Sequence, residues 1–303
     1  MSDSNVIVPL DSYRLAQYVA QVPCYICSGP NTFDAELCRH CFAPMALTHQ
    51  ANTQHLHPQM IATIGATGAG KTVYLGMLTD MLSRCNDQLQ ILARGAFSIS
   101  LQQHTMKALS RCDFPDKTPN EPDRWNWVHS QVRMKSRKRP LEIIMPDMAG
   151  EAILHETDHP NSYPVIRSLL TQCAGIVVLV DAQRIAEGHQ DQDFFTMKLL
   201  SYLMELDDDP KNGWPSRPVA LVFSKADQCE ECFSDPSMFA QKQAPGIWQQ
   251  CRERFKHCRF FASGVAGVCA NRLEVGRCYV QTPLRIEPRG IVEPFRWLLE
   301  QLK

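Results

Sequence analysis

Eight consecutive residues, Gly65-Ala66-Thr67-Gly68-Ala69-Gly70-Lys71-Thr72, spell G-x-x-x-x-G-K-T. Glycines at that spacing let the backbone curl until several N–H groups face one point, where a following helix adds the positive end of its dipole. Such a turn accepts a chain of phosphates. Lys71 is long enough to meet the β- and γ-phosphate oxygens, and the Thr72 hydroxyl can ligate Mg2+. The context agrees with the spelling. Met60-Ile61-Ala62-Thr63-Ile64 in front is an apolar, β-prone run, and Tyr74, Leu75, Leu78, Met81 and Leu82 behind it recur at helical spacing. Strand, glycine-rich turn and helix in that order predict a nucleoside-triphosphate site.

A second cluster could bind a metal. Cys24-x2-Cys27, ten residues, then Cys38-x2-Cys41 puts two thiolates on each of two tight turns, enough for one tetrahedral Zn2+. The four-cysteine shell is closed, which argues for a structural role. With few apolar residues, this segment needs the metal to fold. Residues 22–44 resemble the short bacterial zinc ribbons and the Ran-binding type of zinc finger, which share this spacing and an Asn, here Asn31, four positions after the second Cys. Short ribbons often serve as interaction modules; docking to a protein, to nucleic acid or to the rest of this chain stays open.

Further landmarks follow the phosphate loop. Leu141 to Pro146 reads as a strand ending in Asp147-Met148-Ala149-Gly150, a D-x-x-G. There Asp147 would hold magnesium, usually through a water, and the Gly150 N–H would contact the γ-phosphate. Gly175 to Val180 suits a strand buried on both faces. Val219 to Phe223 is similar and ends in Ser224-Lys225-Ala226-Asp227. An ionised Asp227 could accept from guanine N1–H and the 2-amino group, a charge-assisted pair that adenine cannot supply. The Lys225 stem could lie along the base plane. Phe260 and Phe261 lead into Ala262-Ser263 at the end of a last strand.

Phosphate loop, D-x-x-G, S-K-x-D and A-S in this order resemble the Ras-like GTPases of the translation-factor class, over about residues 59–303. I-G-A-T-G-A-G-K-T-V-Y-L with D-M-A-G-E further looks like the prokaryotic double-GTPase families, thought to act in multi-protein, often defence-like, gene neighbourhoods. The resemblance implies GTP and GDP as ligands, a switch I threonine completing the magnesium shell, and Ala262 and Ser263 near the guanine oxygen. It also implies protein partners, such as a second GTPase or an activator. Thr118, within Phe114-Pro115-Asp116-Lys117-Thr118-Pro119, is the switch candidate; an ordinary proline-flanked loop residue is the other reading. Two departures matter. Ser224 stands where Asn or Thr is usual, and Glu151 stands where a water-orienting Gln is common, which implies slow turnover accelerated by a partner. Arg124 and Arg167 are the arginines near the switches. An ATP-driven enzyme and a nucleotide-locked scaffold are the rival readings.

These residues need a frame to position them. The 303-residue chain is 44% hydrophobic, enough for one large α/β domain with a small appendage. The expected fold is a three-layer sandwich on a mainly parallel sheet, carrying the N-terminal ribbon. Its parts would be an N-terminal segment 1–21, a ribbon 22–44, a linker 45–58 and the nucleotide domain 59–303. A net charge of −1 gives no general pull toward nucleic acid. No apolar run is long enough to cross a bilayer and no signal peptide is expected. Thirteen cysteines without a secretion signal point to free thiols and metal ligands in the cytosol.

Three signals read blandly. His155-Glu156-Thr157-Asp158-His159 satisfies H-E-x-x-H, but Pro160 and Pro164 deny it the long helix a zinc protease needs. Cys229-x2-Cys232 has no second pair nearby. The basic run Arg133–Arg139 suits a solvated hairpin, with a docking patch for phosphates or an acidic partner as its alternative. Phe295, Leu298, Leu299 and Leu302 suggest a terminal helix packed on the sheet.

Overall fold

Residues 21–84, 89–206, 216–273 and 279–302 are described by the computed structural model; of the expected N-terminal segment only Gln21 falls among them. The chain opens with β1 (Gln21–Pro23) and β2 (Pro30–Thr32), an antiparallel pair that carries the cysteine turns. Helix α1 (Met45–Thr53) follows, where the sequence suggested a linker. Its polar surface hid its nature. Met45, Leu47, Thr48 and Ala51 are buried, and residues His49, Gln50 and Asn52 between them disguise the pattern.

The sheet domain then runs β3 (Gln59–Gly65), α2 (Lys71–Ser83), β4 (Leu89–Ala93), α3 (Phe97–Leu109), β5 (Asn126–Met134), β6 (Leu141–Asp147), α4 (Gly150–Asp158), α5 (Pro164–Gln172), β7 (Gly175–Asp181) and the short α6 (Ala182–Ala186). It continues with α7 (Gln190–Leu206), β8 (Val219–Ser224), α8 (Glu230–Ser234), α9 (Pro236–Gln243), α10 (Pro245–Arg254), β9 (Cys258–Ala262), the hairpin β10 (Gly264–Leu273) with β11 (Tyr279–Arg289), and α11 (Val292–Gln301). Seven strands form one sheet in the order β4-β5-β6-β3-β7-β8-β9. The pairs from β6 to β9 are parallel, and β5 alone runs against its neighbours.

Side-chain alternation along the central strands builds two apolar layers. Met60, Ala62 and Ile64 of β3 and Ile176, Val178 and Val180 of β7 face α4, α5 and α7. Ile61 of β3 and Val177 and Leu179 of β7 face α2 and α11 instead. Every residue of β7 is buried, as a strand covered on both sides requires. The ribbon belongs to the first layer: Ile26, Met45 and Leu47 join the cluster that holds Trp125, Trp127 and Ile144. Tyr25 N–H donates to Thr48 Oγ1 at 2.8 Å, and the Tyr25 hydroxyl donates to the Pro58 carbonyl. The ribbon is therefore seated on the chain's own sheet domain.

The bland signals resolve locally. Glu156 is buried and accepts from Asn161 N–H at 3.0 Å, Tyr163 N–H at 2.7 Å and the Tyr202 hydroxyl at 2.6 Å. It ties the end of α4 to α7. The basic run is the β5–β6 turn, and Arg137 donates to the carbonyls of Leu299 and Leu302 at the close of α11. Cys232 is buried, and burial raises its thiol pKa well above the ordinary value, which keeps it protonated. The β10–β11 hairpin had no sequence expectation at all.

Candidate functional site

The phosphate loop leaves β3 and enters α2 at the carboxyl ends of the parallel strands, where open α/β sheets place their ligands. Gly70, the residue before the helix, has φ of +83°, a left-handed conformation that strains any side chain other than glycine's. Lys71 is buried, and its ammonium donates to the Gly65 and Ala66 carbonyls, both at 3.0 Å. Burial lowers its pKa to about 8, while the Asp147 charge works the other way.

Asp147, the last residue of β6, is fully buried; burial raises its carboxyl pKa, and Lys71 with two hydroxyls opposes the shift. Those hydroxyls are Thr72, whose Oγ1 lies 3.0 and 3.2 Å from the carboxylate oxygens, and Thr118, which donates at 3.0 Å. The two threonine oxygens are 3.0 Å from each other. Neighbouring ligands around an octahedral Mg2+ sit about 3 Å apart, so an all-oxygen set of this spacing fits that ion. Residues 46 positions apart in sequence have been brought to one point.

Thr118 rides on the segment between α3 and β5. The Trp125 indole N–H, donating to the Pro119 carbonyl at 2.8 Å, anchors that segment. Two positions after Thr118, the Asn120 amide donates to Glu151 at 3.0 Å, joining the segment to the first turn of α4. Gly150 abuts the phosphate loop so closely that a Cβ there would lie 2.4 Å from Thr67 N. Any other residue would push the two loops apart.

The opposite side of the site is built from the ends of β7, β8 and β9. Ser224 Oγ donates to the Ala69 carbonyl at 2.8 Å and lies 3.1 Å from that of Val180. It thus links this loop to the phosphate loop. Lys225 has φ of +55°, and its ammonium meets Asp181 at 2.7 Å. Asp181 in turn accepts from Arg184 N–H at the start of α6. Ser263 N–H donates to the Phe223 carbonyl at 2.8 Å, and Ala226 N–H to the Ser263 carbonyl at 3.0 Å. Asp227 is half-buried and accepts from Val265 N–H at 3.2 Å. Burial raises its carboxyl pKa, and the Val265 amide and Arg289 are among the groups that restrain the rise.

One cleft connects these parts. Thr67, Gly68, Gly70, Lys71, Thr72, Thr118, Gly150, Glu151, Ser224, Lys225, Asp227 and Ser263 line it. Gly65, Ala66, Ala69 and Ala262 stand behind that lining: the first three offer the carbonyls that hold Lys71 and Ser224, and Ala262 ends β9 beneath Ser263. Neither Arg124 nor Arg167 is among the cleft residues. Asn120, Trp125 and Asp181 were missed in the sequence; each acts through a tertiary partner that no local spacing announces.

At the ribbon, the four sulfurs of Cys24, Cys27, Cys38 and Cys41 lie within 4.8 Å of one another, with Cys24–Cys41 at 3.7 Å and Cys27–Cys38 at 3.6 Å. Tetrahedral Zn2+ with bonds of about 2.3 Å needs edges of about 3.8 Å, so the donor set fits. Ile26 N–H and His40 N–H point at Cys24 and Cys38 sulfurs, both at 3.4 Å, and the Asn31 amide donates to Cys38 at 3.4 Å. Donors of this kind stabilise thiolate charge. Among the described residues no helix is long and apolar enough to cross a membrane.

Solved structures similar to the chain include a candidate nucleolar GTP-binding protein 1 from Plasmodium falciparum, 14% identical, with a TM-score of 0.40 over 81% of this chain and 86% of that one. Another is the GTPase-like domain of S. cerevisiae Ski7, bound to GTP, 16% identical, with a TM-score of 0.42 over 83% of this chain. The chain spans about half of that second protein, 51%. No curated protein is significantly similar to the chain. Residues 59–264 match the family described as Double-GTPase 2, and that span holds the phosphate loop, Asp147, Gly150 and Asp227. Over two thirds of its length, then, this chain is a member of the Double-GTPase 2 family.

Proposed function

We propose that the protein is a guanine-nucleotide switch that hydrolyses GTP slowly on its own and works with a protein partner. The convergence of Thr72 and Thr118 on Asp147 carries this reading. One of these hydroxyls belongs to the phosphate-loop helix and the other to the segment connecting α3 to β5, so a ligand at their meeting point would couple the two. The loop from Gly65 to Lys71 would cradle the phosphates, with Lys71 exchanging its carbonyl partners for β- and γ-oxygens. Thr72, Thr118 and Asp147 would hold Mg2+, which when bound neutralises charge developing on the phosphate chain. Gly150 N–H would sense the γ-phosphate, and Asp227 with Lys225 would select guanine.

In hydrolysis, water would attack the γ-phosphorus as the bond to the β–γ bridging oxygen breaks, GDP would depart with that electron pair, and the proton of the water would pass to the phosphate product or to solvent. Glu151, held by Asn120 in the cleft lining, would be the carboxylate to orient such a water. It would also add negative charge beside a triphosphate, and among the described residues the cleft lining contains no arginine to offset it. Both features favour slow intrinsic turnover and stimulation from outside. Loss of the γ-phosphate would release the segment around Thr118 and the start of α4, and that release is the output. The ribbon would hold Zn2+ as a structural ion. The cytosol, where thiols stay reduced, suits such a site.

Affinities for GTP, GDP and ATP with and without Mg2+ test the proposal. GTP should displace a labelled guanine nucleotide and ATP should not. Thr118→Ala should weaken Mg·GTP by about tenfold or more and Mg·GDP much less, since a single lost ligand to a charged centre is worth at least about 1.4 kcal/mol. Equal losses for both nucleotides would reject the switch role of Thr118, and displacement by ATP would reject guanine selection. A nucleotide-locked scaffold is the second reading, favoured by the Asn120–Glu151 contact closing over the cleft; absence of phosphate release even with partners present would support it.

A further inference from the structure

Beyond β9 the chain builds the β10–β11 hairpin before it reaches α11, and the hairpin begins at Gly264, where the family match ends. Its root lies against Asp227. Val265 sits where the pairing register shifts between Gly264↔Arg289 and Ala266↔Ile286, and its N–H goes to Asp227 Oδ2 at 3.2 Å. The Ala266 amide acts on the same carboxylate. Gly264 has no room for a side chain on this side: a Cβ would lie 2.0 Å from Asp227 Oδ1 and 2.4 Å from its Cγ. Across the same root, at the close of β11 and opposite Gly264, Arg289 pairs with Glu230 at 3.2 Å and lies over the Phe233 ring, and its charge favours the ionised form of Asp227. Val265, Ala266, Cys269 and Gln281 extend the cleft lining from Asp227 onto the hairpin.

A carboxylate can accept about four hydrogen bonds, and amides on one side leave the others facing outward. Its discrimination between purines depends on that orientation being fixed before the ligand arrives. We propose that the root of the β10–β11 hairpin is the positioning element for purine selection. Bare Gly264 and the amides of Val265 and Ala266 hold the Asp227 carboxylate ready for a purine that carries both N1–H and a 2-amino group. This rests on the assignment of Asp227 as the base reader under Proposed function.

The test compares Kd values for GTP and ITP, which lacks the 2-amino group, in the full-length protein and four variants. Wild type should prefer GTP by at least about tenfold, the worth of one hydrogen bond to a charged acceptor. Gly264→Ala should retain ITP affinity and lose most of that preference. Gly267→Ala should keep it, because a Cβ there meets only the tip of the Glu287 side chain, at 2.4 Å, which can turn away. A full GTP/ITP ratio in Gly264→Ala overturns the proposal while leaving Asp227 as reader. A wild type without preference, or Asp227→Ala with an unchanged ratio, overturns the base assignment and the proposal with it. If Gly264→Ala loses ITP as well, Val265→Pro decides, since it removes the donated N–H: a collapsed ratio supports the proposal and a full ratio overturns it.

Discussion

Lys71 shows how burial sets a working pH. Its ammonium is enclosed and its pKa is lowered to about 8, whereas a triphosphate beside it would favour the charged form. Binding then takes up a proton whenever the free lysine is neutral, so affinity is flat below pH 8 and falls above it. The charged fraction drops about fivefold between pH 8 and 9, and GTP affinity should drop by about the same factor. Lys71→Ala should bind far more weakly at every pH and show no such step. Equilibrium titration across that window checks both statements, and a flat wild-type profile would sink the first. The phosphate loop, Asp147 and Asp227 were legible because their chemistry is written in a few consecutive letters. Asn120 and Asp181 were not, since the partners of one lie 31 positions away and of the other 44. Ser224 was read as a departure from pattern, yet a hydroxyl on a buried strand end reaches the same kind of acceptor at 2.8 Å.

Strands β3, β6, β7, β8 and β9 were visible as apolar runs, and α2 and α11 as helical spacings, whereas β4 and β5 were not read. Helix α1 was not, because half of its surface is solvent-facing and its buried positions include Thr48 alongside apolar residues. The β10–β11 hairpin was missed for a related reason: Val268, Leu273 and Leu284 are exposed on it, and Arg285 and Glu287 interrupt any alternation. The ribbon and α1 share a core cluster with the central strands, so metal loss should be felt beyond the cysteines. Cys38→Ser, or chelation, should remove hydrogen-exchange protection from amides across 21–56 by at least about a hundredfold, because metal-held knuckles of this size unfold without the ion. Protection unchanged in α1 would mean that packing alone sustains this region.

At the scale of the whole molecule, the nucleotide cleft is closed by two pieces with different tethers. The Thr118 segment is pinned by Trp125 and by Asn120, and α4 is pinned by Glu156 through Tyr202. This geometry allows the segment to leave without unseating the end of α4. With a carboxylate at 151 and no arginine in the cleft lining, single-turnover hydrolysis by the isolated protein should run on the order of 0.001 per second, as in switch proteins awaiting an activator. Many turnovers per second would contradict it. The antiparallel β5 also makes sense at this scale, since it lets the chain return from the long excursion after α2 to β6 through a tight turn.

The seating of the ribbon on the sheet has a consequence during synthesis. Ile26, Met45 and Leu47 leave the ribosome well before Trp125, Trp127 and Ile144, the residues of the same cluster that lie in β6 or just ahead of and within β5. At about 5–20 residues per second, these apolar groups wait roughly 4–20 s for their cover. A nascent chain starved of zinc would spend that interval with neither fold nor shelter, so the metal supply would govern the yield of the sheet domain packed on the ribbon.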